Sequence, residues 1–154
     1  MINVGDRLPE VLGTDEQGRE IRLSEMAGRS FILYFYPKDN TSGCTAEACS
    51  LRDRYAELSE AGYEVIGVSV DSEKSHRNFI EKHQLPFRLI ADTEKSLVQA
   101  LGVWGEKKMY GRTYMGILRT TLIVNGEGKV EHIFVPKDIK TKIHAEQILS
   151  YLES

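Results

Sequence analysis

The chain has 154 residues, 41% of them hydrophobic, and this length and composition are typical of one folded domain with an ordinary buried core. Its formal net charge is -3 at pH 7, and basic and acidic residues are interspersed, which argues against nucleic acid and anionic membranes as partners. The start lacks the pattern of a signal peptide, and the longest apolar run, residues 31–36, is too short to span a bilayer. We therefore expect a single domain over residues 1–154, located in the cytoplasm.

The first predicted elements are a hairpin, a buried strand and a helix. A turn signal at residues 14–18 precedes residues 20–23, whose alternation is typical of a half-buried strand. Residues 31–36 predict a fully buried strand, and residues 37–43 a loop that leads into a helix ending near Gly62. The apolar residues of this helix recur at helical spacing: Ala48, Leu51, Tyr55 and Leu58.

Strands and helices alternate through the middle of the chain. Residues 63–70 predict a second buried strand, and residues 71–72 can cap a helix over residues 73–83. Residues 87–91 predict a third core strand, and a short helix then runs to Gly102.

The last third of the chain predicts a second hairpin and a terminal helix. Residues 120–124 and 129–135 flank the sequence Asn-Gly-Glu-Gly at 125–128, which is a strong hairpin turn. The terminal helix carries apolar residues on one face: Ala145, Ile148, Tyr151 and Leu152.

This order of elements predicts an α/β fold. It is the order of a thioredoxin-like three-layer sandwich, with an N-terminal hairpin and one strand-helix pair inserted after Pro86. Parallel sheets of this kind place their chemistry at the carboxyl ends of the strands. The loop over residues 37–44 leaves such an end, so we expect the functional site there.

Two cysteines, Cys44 and Cys49, lie at the start of the helix that follows this loop. In a reducing cytosol, such a close pair is more often catalytic or metal-binding than a structural staple. The first turn of a helix favours the reactive thiolate through its unpaired N–H groups. Gly43 allows close approach of the backbone, and the hydroxyls of Thr41 and Ser42 can cap the helix or bond to the sulfur.

An inert, buried Cys44 is also compatible with this position. A helical projection places Cys44 within about 20° of Leu51 and Cys49 about 140° away from Cys44, so Cys44 faces inward. Glu47, one turn later, partly offsets the positive potential of the helix start. We therefore expect an arginine from elsewhere in the chain.

Residues 37–44, PKDNTSGC, have the P-x-x-x-T-x-x-C form that marks the peroxidatic cysteine loop of peroxiredoxins. The longer segments YFYPKDNTSGCTAEACSLRD and GVWGEKKMYGRTYMGILRTTLIV resemble the bacterioferritin comigratory protein or peroxiredoxin Q subgroup of that family. The resemblance covers essentially the whole chain. One departure is Ser42, where proline is common in the family, and we expect this change to alter loop mobility at most.

The resemblance implies a thiol peroxidase that reduces hydrogen peroxide and organic hydroperoxides. It implies that Cys44 is the peroxidatic thiolate, that Cys49 closes an intramolecular disulfide with it, and that Thr41 orients the peroxide. It further implies that Pro37 shields the site and that Arg119 supplies positive charge, which would stabilise the leaving oxygen. No metal or cofactor is implied. The expected reductant is thioredoxin or a similar dithiol, and the expected state is a monomer.

Two alternatives remain at this level. A dithiol oxidoreductase of thioredoxin type would have C-x-x-C, whereas the spacing here is C-x-x-x-x-C. A metal-binding or structural module lacks the paired spacing of a zinc site. It would combine the cysteines with some of the four histidines: His76, His83, His132 and His144.

Three aromatic residues near the C-terminal half, Trp104, Tyr110 and Tyr114, predict a cluster. Such a cluster would either line the entrance of the site or anchor a long loop.

Overall fold

The computed structural model describes all residues from 1 to 154. It contains nine strands: β1 Val11–Thr14, β2 Glu20–Arg22, β3 Ser30–Phe35, β4 Tyr63–Ser69, β5 Arg88–Ala91, β6 Trp104–Met109, β7 Arg112–Ile117, β8 Thr120–Val124 and β9 Val130–Phe134. Five α-helices accompany them: α1 Ser42–Asp53, α2 Tyr55–Glu60, α3 Glu73–His83, α4 Ser96–Ala100 and α5 His144–Glu153. None of the helices has the length and apolar character needed to cross a bilayer.

Five strands form the central sheet, in the order β5-β4-β3-β8-β9. Strands β3, β4 and β5 are parallel, whereas β8 and β9 each run antiparallel to their neighbours. The register pairs Phe35, at the carboxyl end of β3, with Thr120, at the start of β8. As a result, the chain enters β8 beside the loop that leaves β3.

The two faces of β3 contribute to two separate cores. Phe31, Leu33 and Phe35 join the core beneath the N-terminal hairpin and α4, whereas Ile32 and Tyr34 join the core beneath α1, α2, α3 and α5. All five side chains are fully buried. Burial contributes about 1.5–3 kcal/mol for each large apolar side chain. The predicted three-layer α/β sandwich with its N-terminal hairpin is therefore confirmed.

The helix predicted to run to Gly62 is divided into α1 and α2 by Arg54, which has φ -111° and ψ 15°. The guanidinium of Arg54 donates to Glu57 at 2.5 and 2.7 Å and to Glu146 of α5 at 2.9 Å. These ion pairs lie at the break, and local periodicity gives no sign of them.

The segment between α4 and β8, predicted as a long loop, is mostly a two-stranded ribbon of β6 and β7. Tyr110 and Gly111 form its turn with φ values of 51° and 76°, a geometry for which Asn-Gly is the recognisable signal. Trp104 lies half-buried at the base, Tyr110 is 97% exposed at the tip, and Tyr114 is 41% exposed. The predicted aromatic cluster is wrong, because the ribbon spreads the three rings along its length.

Candidate active site

Cys44 lies in the first turn of α1, directly after the loop that leaves the carboxyl end of β3. Its side chain is 1% exposed and belongs to the same apolar core as Ala48 and Leu51, so the predicted inward orientation is confirmed. Cys49 is only partly buried, and both thiols are free. Two residues five apart on an α-helix have Cα atoms roughly 8.7 Å apart and point about 140° away from each other.

Arg119 directly precedes β8, whose first residue pairs with the last residue of β3. Arg119 therefore lies beside the loop that leads from β3 to Cys44. Its Nη2 lies 3.3 Å from the Sγ of Cys44. A Cβ atom at Gly43 would lie 3.4 Å from the same Nη2, so the guanidinium also lies against the backbone just before Cys44. The structure therefore supplies the arginine that the cysteine loop requires.

Glu47 holds the other end of the same guanidinium. Its Oε1 accepts a hydrogen bond from Nη1 of Arg119 at 2.5 Å, and its side chain is fully buried. Burial raises the pKa of Glu47 to about 7, although Arg119 opposes this shift. Burial lowers the pKa of Arg119, but Glu47 and Cys44 outweigh this effect and the pKa is raised overall. The guanidinium therefore remains charged.

The second oxygen of Glu47 lies near the ring of the buried His144. This Oε2 has no hydrogen-bond partner and lies 3.8 Å from Nε2 of His144. His144 faces the amide oxygen of Gln147 through Nδ1 at 2.9 Å and the hydroxyl of Thr121 through Nε2 at 2.8 Å. Burial lowers the pKa of His144 to about 4, so Nδ1 donates and Nε2 accepts. The single ring lone pair of Nε2 then accepts the hydroxyl hydrogen of Thr121, so the neutral imidazole offers Oε2 no hydrogen.

The hydroxyl of Thr41 has a different partner from those expected. Thr41 is the N-cap residue of α1, but its side chain neither caps the helix nor bonds to the sulfur. Instead, its Oγ1 donates to the carbonyl oxygen of Lys38 at 2.9 Å. Because this bond uses the hydroxyl hydrogen, the lone pairs of Oγ1 are left to accept a hydrogen bond. Ser42 is exposed, and Pro37 is half-buried where the chain leaves the sheet.

Lys107 of β6 is a cation near this site that the sequence analysis did not identify. Its Nζ donates to the carbonyl oxygen of Ile117 at 2.9 Å. Burial and the charge of Arg119 lower its pKa, whereas Cys44 raises it. No local pattern marks Lys107, because only the pairing of β6 with β7 brings it here.

The fold does not place the two cysteines and the histidines close enough together to form a metal site. The candidate group with suitably close ligand atoms contains Asp39, Asp71 and His76, and neither cysteine belongs to it. Both ring nitrogens of His76 already face protein oxygens, at 2.8 and 2.9 Å. Both carboxylate oxygens of Asp39 also have protein partners. This cluster therefore satisfies its own hydrogen bonds.

The profile of the AhpC/TSA family matches residues 4–133. Peroxiredoxin Bcp of Escherichia coli strain K12 is 39% identical over 152 residues, which are 99% of this chain and 96% of that relative. Peroxiredoxin Bcp of Bacillus subtilis strain 168 is 41% identical with the same coverage. A solved structure of Xanthomonas campestris bacterioferritin comigratory protein, which addresses that protein's alkyl peroxide reduction activity, has a TM-score of 0.87 and 35% identity and covers 98% of both chains. The chain therefore belongs to the AhpC/TSA family, in its bacterioferritin comigratory protein or peroxiredoxin Q group, and is a thiol peroxidase.

Proposed function

We propose that Cys44 is the residue that attacks the hydroperoxide and that Cys49 resolves the product as an intramolecular disulfide. The observation that carries this proposal is the contact between Arg119 Nη2 and Cys44 Sγ at 3.3 Å, in the first turn of α1. A guanidinium and a helix start both stabilise the thiolate, which is the nucleophilic form of cysteine. Cys49 lies further along the helix, and no cationic side chain donates a hydrogen bond to its sulfur.

In the first step, the thiolate of Cys44 attacks one oxygen of the hydroperoxide and the O–O bond breaks. The sulfur becomes a sulfenic acid, and the other oxygen leaves as an alkoxide or hydroxide that takes up a proton. Arg119 stabilises the negative charge that develops on the leaving oxygen. The free lone pairs of Thr41 Oγ1 accept the hydrogen of the incoming peroxide and so orient it. Pro37 shields the site from water.

In the second step, the thiolate of Cys49 attacks the sulfenic sulfur of Cys44, the S–O bond breaks, and hydroxide leaves as water. A disulfide needs Cα atoms within about 7 Å and converging Cβ atoms, whereas five residues of intact helix hold them roughly 8.7 Å apart. The first turns of α1 must therefore open before the bond forms. A helix end beside an exposed loop is a low-energy place for such opening.

The cycle is completed by an external dithiol. We propose thioredoxin or a similar protein as the reductant, with hydrogen peroxide and organic hydroperoxides as substrates. The likeness to the Bcp and peroxiredoxin Q proteins over nearly the whole chain supports this cycle. We further propose that residues 1–154 act as one domain and as a monomer in the cytoplasm.

The test is turnover of hydrogen peroxide with thioredoxin, thioredoxin reductase and NADPH. Wild type should oxidise NADPH continuously, and Cys44→Ser should not exceed the rate without enzyme. Cys49→Ser is the matched control, since it keeps Cys44 and should react with peroxide once. Replacement of thioredoxin and its reductase by glutathione, glutaredoxin and glutathione reductase separates failure of the reductant from failure of the peroxidase. Peroxide consumption by Cys44→Ser at the wild-type rate would exclude the proposal.

A further inference from the structure

Asp39 is the only buried residue between Pro37 and Cys44. Its carboxylate accepts a hydrogen bond from the hydroxyl of Tyr36 at 2.5 Å and another from the hydroxyl of Ser75 at 2.9 Å. Its remaining partner is Nδ1 of His76 at 2.8 Å. One side chain therefore ties the exposed peroxidatic loop to the end of β3 and to the first turns of α3.

His76 is itself held on both sides. Its side chain is fully buried, and its Nε2 lies 2.9 Å from the carbonyl oxygen of Ile90 in β5. Because a carbonyl can only accept, Nε2 carries a hydrogen, and the contact of Nδ1 with Asp39 contains one further proton. Whichever partner holds that proton, both groups are satisfied, and the ring cannot turn without losing two buried hydrogen bonds.

The peptide unit between Lys38 and Asp39 connects this cluster to the proposed active site. Its N–H, on Asp39, donates to a carboxylate oxygen of Asp71 at 2.9 Å. Its carbonyl oxygen, on Lys38, accepts the hydroxyl hydrogen of Thr41 at 2.9 Å. Because a peptide unit is planar, fixing its N–H also fixes the direction of its carbonyl. The direction of that carbonyl in turn fixes which way the lone pairs of Thr41 point.

We infer that Asp39, supported by His76 and Asp71, is a positioning residue that aims the Thr41 hydroxyl at the hydroperoxide. This inference rests on the proposed role of Thr41 in orienting the substrate. Asp39 does not touch the reacting atoms, and its influence passes through a single peptide plane. It has no direct contact with Arg119, so it should not govern the formation of the Cys44 thiolate.

The buried Asp39 also divides the loop into a fixed part before it and an exposed part after it. Asn40, with φ 62°, follows Asp39 in the left-handed region, which asparagine adopts more readily than most residues. Residues 40–42 are exposed, and no buried side chain holds them. The opening that joins Cys44 to Cys49 can therefore begin after Asp39, with the cluster beneath it intact.

The test compares two properties of Cys44 in a Cys49→Ser background, where it is the only thiol. The first is the rate constant for oxidation by hydrogen peroxide, which is measured by quenching the reaction at short times and determining the intact mass. The second is the thiolate fraction at pH 7, from the absorbance at 240 nm. Asp39→Ala should lower the rate constant at least tenfold and leave the thiolate fraction unchanged, whereas Asp39→Asn, which can still bond to Tyr36 and His76, should recover most of the rate. Glu94→Ala, which removes an exposed carboxylate elsewhere, serves as control.

A double-mutant cycle with Thr41→Val shows whether Asp39 acts through Thr41. The combined variant should be no slower than the slower single variant, since both remove the same contribution. Asp71→Ala leaves the Asp39 carboxylate in place, frees the peptide N–H together with the hydroxyl of Ser69, and should slow oxidation at least threefold. Ser69→Ala, which keeps the Asp71 carboxylate, is its control, and the pair provides a test even if Asp39→Ala does not fold. Three outcomes would overturn the inference. The rate losses of Asp39→Ala and Thr41→Val could multiply in the combined variant, or Asp71→Ala could be oxidised at the parent's rate. Asp39→Ala could also lower the thiolate fraction of Cys44 as much as it lowers the rate constant. Failure of the proposed function is distinct, because the Cys49→Ser parent itself would then not react.

Discussion

Nη2 of Arg119 lies 3.3 Å from the sulfur of Cys44, although 75 positions of sequence separate the two residues. The same guanidinium also pairs with the buried Glu47, so a single cation serves two groups that can each become anionic. Two anions sharing one cation away from water would be costly. A protonated Glu47 therefore leaves the guanidinium free to stabilise the thiolate.

Arg119→Ala should slow the oxidation of Cys44 by hydrogen peroxide about a hundredfold, the usual cost of removing one donor that stabilises a developing oxyanion. Stability should change far less, because Glu47 can take up a proton when its partner is removed. Arg119→Lys should recover only part of the rate, since an ammonium lacks the planar fork that reaches both groups. The exposed Arg112→Ala is the matched control, and stopped-flow peroxide kinetics give the rates. Equal rates for Arg119→Ala and wild type would remove Arg119 from the mechanism.

Glu47 should make the stability of the reduced protein depend on pH. Its pKa is raised by burial from 4.5 to about 7, so its contribution to stability is complete below pH 4.5 and is lost as the pH rises through about 7. Glu47→Gln cannot ionise, so wild type should lose up to about 3 kcal/mol relative to this variant between pH 5 and pH 8. Urea unfolding of both proteins at the two pH values measures the difference.

His144 titrates in the opposite direction and does not disturb this comparison. Burial lowers its pKa to about 4, so its contribution is lost as the pH falls from 6.5 towards 4. Both proteins contain His144, and its contribution becomes complete in both above pH 6.5, so the change in stability between pH 6.5 and pH 8 reports on Glu47. An identical pH dependence for wild type and Glu47→Gln would contradict the assignment to Glu47.

Cys49→Ser should react once with peroxide and then stop at the sulfenic acid of Cys44. Further peroxide should drive that group to sulfinic acid, because no second thiol intercepts it. Intact mass should show a gain of one oxygen and then of two, with peptide mapping to Cys44. Ser50→Ala would be a poor control, since its hydroxyl accepts the N–H of Ala145, so Ser59→Ala, an exposed position in α2, is used. Sustained turnover of Cys49→Ser with thioredoxin would exclude an obligatory resolving role.

Disulfide formation should be accompanied by local unwinding of α1. Hydrogen exchange should become faster in residues 41–51 of the oxidised protein than in the reduced protein, and far-UV circular dichroism should show less helix. A dithiol should reverse both changes. Residues 73–83, which form α3, provide an internal control whose protection should be unchanged. A proven Cys44 to Cys49 disulfide with full protection across residues 41–51 would refute the unwinding step.

Local patterns were sufficient for the elements that depend on near neighbours. The bounds of α3 agree with the predicted helix over residues 73–83, and the hydroxyl of Ser72 caps it by accepting the N–H of Ser75. The loop before Cys44 is recognisable because proline, threonine, glycine and cysteine stand at fixed spacing along it.

Pairings between distant residues could not be predicted in this way. The contact of Glu47 with Arg119 depends on the register of β3 with β8, and the position of Lys107 depends on an unpredicted ribbon. His76 is fully buried against Asp39, a contact that the helical spacing of residues 73–83 does not indicate. No periodicity reports that contact, because its two residues lie 37 positions apart on separate elements.

The most direct test of the account is the covalent state of the wild-type protein after one equivalent of hydrogen peroxide. Proteolysis without reduction, followed by mass spectrometry, identifies the species formed. We expect the chain to lose two hydrogens and to yield a peptide in which Cys44 and Cys49 are joined by a disulfide, with no dimer. Oxidation of Cys49 alone, or a disulfide only between two chains, would contradict the assignment of Cys44 as the attacking residue and Cys49 as its intramolecular partner.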